Sequence, residues 1–103
     1  MKLSVRERLI ILTILPQEGD AVTLRVLRKL QENLSFTEEE HQLYKFVQKD
    51  TTVTWDDTVE QEKDIEIGGK GRELIGTALA KLNDQKKLRM EHLDIYERFV
   101  EKD

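Results

Sequence analysis

The sequence predicts a mainly α domain with a small β-hairpin, an α+β class, and three observations predict it. Leucines and isoleucines recur at helical spacing along most of the chain. Two Ser/Thr-x-x-Glu signatures, Ser4 to Glu7 and Thr37 to Glu40, mark helix starts. Between Thr51 and Ile67 the apolar period changes to two. The length, 103 residues, fits one domain, 1–103, with a single core.

Taken in order, Ser4-Val5-Arg6-Glu7 opens the first helix as a capping box. Apolar residues at Val5, Leu9, Leu12, Ile10, Ile11, Ile14 and Leu15 cover most of its circumference, so its second half is expected to be buried. Pro16 and Gly19 end it. Asp20 or Thr23 can cap a second helix with Val26, Leu27, Leu30 and Leu34 inward and Arg25, Arg28, Lys29 and Glu32 in water. Thr37 opens a third, whose inward stripe reads Leu43, Phe46, Val47.

Val53 and Trp55 then alternate with Thr52 and Thr54, and Ile65 and Ile67 with Asp64 and Glu66, predicting two half-buried strands paired antiparallel. The polar connection from Asp56 to Lys63 is long for a hairpin and is expected to be mobile. Gly68-Gly69-Lys70-Gly71 separates the second strand from a long helix with the stripe Leu74, Ile75, Ala78, Leu79, Leu82. After Asn83 to Lys87, a last helix from about Met90 to Val100 presents Leu93, Tyr96, Phe99 and Val100.

Composition narrows the function. There is no cysteine, which excludes disulfides, thiolate catalysis, thiolate zinc sites and iron–sulfur ligation together and fits a reducing compartment. The apolar stretch Leu9 to Leu15 after Lys2, Arg6 and Arg8 is too short for a signal peptide and runs into Pro16 instead of a small-residue cleavage site. Nothing approaches the roughly 20 apolar residues of a membrane span, so no membrane association and a cytoplasmic location are expected.

Charge is unevenly spread. Ser35 to Ile67 carries ten acidic residues against three basic ones, while the flanking segments are slightly positive. The order helix, helix, helix, strand, strand resembles a winged helix-turn-helix with a three-helix core plus hairpin, here followed by two further helices. That resemblance implies that the third helix and hairpin face nucleic acid through Arg and Lys. The matching positions are instead Glu38, Glu39, Glu40, Asp56, Asp57, Glu60, Glu62 and Asp64, with Lys63 alone opposing them in the wing. Such a surface repels phosphate, so direct nucleic-acid binding through it is not expected.

The run Glu7 to Leu12, the segment Ile14-Leu15-Pro16-Gln17-Glu18-Gly19, Leu34 to His41 and Ile65-Glu66-Ile67-Gly68 resemble small uncharacterised proteins of tailed phages and prophages. The resemblance implies an accessory protein acting in a host cytoplasm and carries no transferable activity.

Other constellations have simpler readings. The glycines Gly68 to Gly71 could hold an anion on free amides beside Lys70 and Arg72, but they match no phosphate fingerprint, and Gly68 and Gly69 are read instead as allowing a sharp exit from a sheet. His41 and His92 lack ligand partners at metal spacing and are expected at the surface or its boundary. Asp56-Asp57 lacks the alternating ligands of a calcium loop. No cofactor and no metal are expected. Trp55 either seals the hairpin against a helix or anchors a protein interface.

No nucleophile, base and orienting partner can be assembled from these residues, so an enzyme is not expected. The sequence favours a non-enzymatic interaction protein that meets a basic protein surface through Glu38, Glu39, Trp55, Asp56 and Asp57. The alternative is a winged-helix nucleic-acid-associated protein using a basic face, Arg25, Arg28 and Lys29. A homo-oligomer is compatible with the last helix.

Overall fold

The computed structural model describes residues 1–59 and 62–101. Ser4 caps the first helix as expected: its hydroxyl accepts from the Glu7 amide at 3.1 Å, and the Glu7 carboxylate accepts from the Ser4 amide at 2.9 Å. Helix α1 spans Val5–Ile14. It stops where Pro16 forces Leu15 into an extended conformation. Asp20, of the two candidates, caps α2 (Ala21–Leu34) by accepting from the Thr23 amide at 2.8 Å. Helix α3 is short, Glu38–Tyr44, and α4 is long, Gly68–Asp84.

The expected class, mainly helical with a small hairpin, is the one observed. Its aliphatic core is made by Ile10, Ile11 and Leu15 of the first helical segment, Leu27, Leu30 and Leu34 of α2, and Ile75 and Leu79 of α4, with Ile95 below them. The helix that joins α1 and α2 in this core is α4, whereas α3 packs against a 3₁₀ turn at Asp57–Val59. Gly71 lets α4 approach α2, since a Cβ there would sit 3.3 Å from Leu30 Cδ1 and 3.4 Å from Ile67 Cγ2.

Strand pairing differs from expectation. The hairpin joins β2 (Val47–Lys49) to β3 (Thr52–Thr54), with Val47 opposite Thr54 and Lys49 opposite Thr52. Its two-residue turn has Asp50 at φ 56°, a conformation that Asp tolerates better than most residues. Closing a neighbouring segment costs less chain entropy than closing the long Asp56–Lys63 connection, so β3 takes the local partner. The second predicted strand is displaced too: β4 is Lys63–Asp64, and it pairs antiparallel with β1, Lys2–Leu3. Ile65 and Ile67 keep their alternation, buried and half-buried on either side of exposed Glu66, without belonging to a ladder. Glu60, counted in the acidic block, lies outside the described residues.

Helix α3 ends three residues before the predicted stripe does. Lys45 turns left-handed at φ 54° and its amide bonds His41 O at 3.0 Å, so Phe46 and Val47 never join the helical face. Val47 is consequently exposed, at 56%; within the helix Leu43 is also exposed, at 48%, and Tyr44 is the residue that is buried. The glycines do not separate sheet from helix but form the first turn of α4, where Gly68 takes φ 73°.

The last helix changes pitch along its length, running as a 3₁₀ turn at Met90–His92, α5 at Leu93–Tyr96 and a π turn at Glu97–Glu101. A stripe extrapolated at 3.6 residues per turn therefore misaligns. Ile95 and His92 are buried, Leu93 is exposed, and Tyr96, Phe99 and Val100 are half-buried against the core. His92 is thus not a surface residue.

Candidate functional site

The acidic lobe is organised by an arginine. Arg8 stands three residues before Ile11 and seven before Leu15, on the buried face of α1, and is itself 1% exposed. Its Nε donates to Leu34 O at 3.1 Å and its Nη2 to Ser35 O at 2.7 Å. These are carbonyls at the C-terminal end of α2, which no residue of that helix can satisfy. Nη1 donates to Glu40 Oε2 at 2.6 Å and Nη2 to Glu40 Oε1 at 3.3 Å, and the guanidinium lies 3.9 Å over the Phe36 ring. The planar fork of arginine suits this simultaneous grip on carbonyls, carboxylate and ring. One side chain therefore ties the end of α2 to the start of α3.

Glu40 completes that junction. It closes the Thr37 capping box, accepting from the Thr37 amide at 3.0 Å while Thr37 Oγ1 accepts from the Glu40 amide at 3.1 Å. Lys63 Nζ approaches it at 3.5 Å. Burial disfavours the Glu40 carboxylate, but the hydrogen bonds from Arg8 and Thr37 and the charges of Arg8 and Lys63 outweigh it and lower its pKa to about 2.

Around this pair the rings cluster on Phe46, whose centroid lies 4.8 Å from Phe36, 5.4 Å from His41, 5.8 Å from Tyr44 and 6.3 Å from Trp55. Such tilted and edge-on contacts add to plain burial.

Of the residues the sequence singled out, Glu38 and Glu39 are exposed in the first turn of α3. Asp57 is exposed at the start of the 3₁₀ turn that packs on α3. Among the described residues none of the three makes an ion pair. Asp56 is engaged locally: its carboxylate accepts from the Thr58 hydroxyl and amide, and these bonds, with Lys45 nearby, hold its pKa below the ordinary value. Trp55 is half-buried beside Phe46. The fold thus brings Glu38, Glu39 and Asp57 to one lobe, with Leu43 exposed one turn after Glu39.

Other carboxylates of the acidic block are neutralised. Glu40 is held by Arg8, and Asp64 by the amino terminus at 2.7 Å. The sequence reading missed the Arg8–Glu40 pair. Its signal was present, since an arginine at the spacing of buried Ile11 and Leu15 must find a counter-charge inside.

No group of three or more His, Asp or Glu side chains able to hold a metal ion occurs among the described residues. Nor is any helix among them long and apolar enough to cross a membrane. The chain matches no protein-family model, no curated protein and no solved structure. What the lobe offers chemically is carboxylate acceptors on a rigid, aromatic-backed support, a surface suited to Lys and Arg side chains.

Proposed function

We propose that this chain is a non-enzymatic protein-interaction module, of the accessory kind that the phage-like resemblance implies, whose α3 lobe binds a basic surface on a protein partner. One observation carries this: Glu38, Glu39 and Asp57 stay exposed and without ion pairs among the described residues, on a lobe fixed by the pairing of buried Arg8 with Glu40. Charge placed this way accelerates encounter and selects partners, while exposed Leu43 and Val47 supply apolar contact. Asp56 supports the turn that presents Asp57, and Trp55 lies within the lobe beside them.

The test is affinity capture from a host lysate with the wild type and with Glu38→Lys/Glu39→Lys/Asp57→Lys. Loss of one specific partner by the variant, its folding unchanged by circular dichroism, is the expected result; an identical set of partners overturns it.

A second reading, nucleic-acid association through a basic face, has its own observation. Arg25 and Lys29 of α2 and Lys70 of α4 border one cleft, with Arg28 exposed on the same helix. Tight binding to duplex DNA that falls steeply with added salt would favour it, and no binding at low salt removes it.

A further inference from the structure

Beside Ile75 and Leu79 on α4, Leu74, Ala78 and Leu82 recur once per turn over about 12 Å. These half-buried side chains form one wall of a groove of about 890 Å³, and Ile14 and Pro16 at the end of α1 form the other. The volume lies within the range of small-molecule sites. Its apolar walls are aliphatic, without Phe, Tyr or Trp among the lining residues.

The groove also has polar lining residues. His92 borders it, is 8% exposed, and is locked by a reciprocal pair of bonds: the Arg89 amide donates to Nδ1 at 2.9 Å, and the His92 amide donates to Arg89 O at 2.9 Å. With Nδ1 accepting, the proton of the neutral ring is on Nε2. Among the described residues Nε2 has no hydrogen-bond partner, yet no sealed polar side-chain atom there lacks one, so Nε2 keeps contact with solvent, and His92 lines this groove. Nε2 is thus a donor on an otherwise buried ring, held in one tautomer and able to meet an acceptor from outside the chain. Lys81, Lys87 and Arg89 line the same groove against Glu91 as its only acid, so the favoured acceptor is an anion.

We propose that this groove binds a small aliphatic carboxylate, its head on His92 Nε2 with Lys87 and Arg89 beside it and its chain along Leu74, Ala78 and Leu82. The site shares no residue with the α3 lobe and stands independently of the interaction proposed there. A planar carboxylate offers two acceptor oxygens for the imidazole and the cations, and an unbranched chain of medium length matches the stripe on α4.

Titration of the full chain with decanoate below its micellar concentration, followed by amide NMR and calorimetry, tests the assignment. The expected result is saturable binding of one decanoate per chain with shifts at Ala78, Leu82, Arg89 and His92, about tenfold tighter than decanol or acetate. Lys87→Ala/Arg89→Ala, both exposed, is expected to weaken decanoate several-fold with the fold intact. Ala78→Trp, which fills the groove, is expected to abolish binding.

Absence of saturation, equal affinity for decanol, shifts confined to other surfaces, or undiminished binding by Ala78→Trp would each overturn the proposal. So would concentration-dependent self-association through this groove in sedimentation without decanoate, which would identify a second copy as its occupant.

Discussion

The aliphatic core shared by α1, α2 and α4 and the aromatic lobe around Phe46 are adjacent yet held by different physics. In the core, Leu27, Leu30, Ile75 and Leu79 gain by leaving water, an effect without direction that tolerates exchange of one shape for another of similar volume. In the lobe, Arg8 and Glu40 are joined by oriented bonds, and fully buried Arg8 would be a stranded charge without Glu40. The difference teaches that the lobe, though it buries less aliphatic surface, is the more brittle region to alter at its centre. It also explains why the acidic block does not act as a block: some of its carboxylates are structural, and others face water.

The sharpest way to break this comparison is Arg8→Met. It leaves half-buried Glu40 without its closest counter-charge and two carbonyls at the end of α2 without a donor, and is expected to cost about 3–5 kcal/mol in urea denaturation. Arg8→Met/Glu40→Leu should recover part of that loss; a single variant as stable as wild type would show that the pair does not hold the lobe. Next, Ile75→Ala should cost about 2–5 kcal/mol, whereas Ile75→Leu should cost less than about 1.5 kcal/mol. Arg8→Lys, nominally as conservative, keeps the charge and loses the fork, so it is not expected to be tolerated in the same way.

A pH titration separates the regions further. The folded-state pKa of Glu40, about 2, lies below its ordinary 4.5. Its contribution is therefore fully present above pH 4.5 and is lost as pH falls toward 2. Urea midpoints of the wild type are expected to fall across that window. Glu40→Gln should start lower at neutral pH and fall less steeply, the remaining slope coming from Asp20, Asp56 and Asp64, whose pKa values are also lowered. Parallel curves would contradict the assignment. The smallest effects are those of the two caps: Ser4→Ala and Thr37→Ala should each cost about 1 kcal/mol. Only Thr37→Ala is expected to shift the emission of Trp55, because its cap belongs to the lobe.

Much of the fold was legible because local signals and packing agree. Both capping boxes form, α2 and α4 bury leucine and isoleucine at helical spacing, and Pro16 stops α1 where the backbone requires it. The errors fall where a residue's fate depends on something distant. Leu43 and Val47 read as a continuation of α3, but the left-handed Lys45 removes the second of them from the helix. Ile65 and Ile67 read as a hairpin strand, but the chain there meets the N-terminal strand, sixty residues earlier, and only at Lys63 and Asp64. In the candidate site, the exposed Glu38, Glu39 and Asp57 were legible because exposed charge needs no partner to be recognised. Arg8 and His92 were not, because each becomes interesting only through what surrounds it.

The sequence by itself determined the helical class, the helix starts, the aliphatic core positions and the excess of acid in the middle third, since periodicity, capping chemistry and composition are properties of neighbouring residues. Tertiary structure alone decided which carboxylates are neutralised, which strands pair, and that buried His92 borders a groove. Ion pairs, ladders and cavities join residues far apart in the chain, and their energies depend on distance and burial that no local pattern encodes.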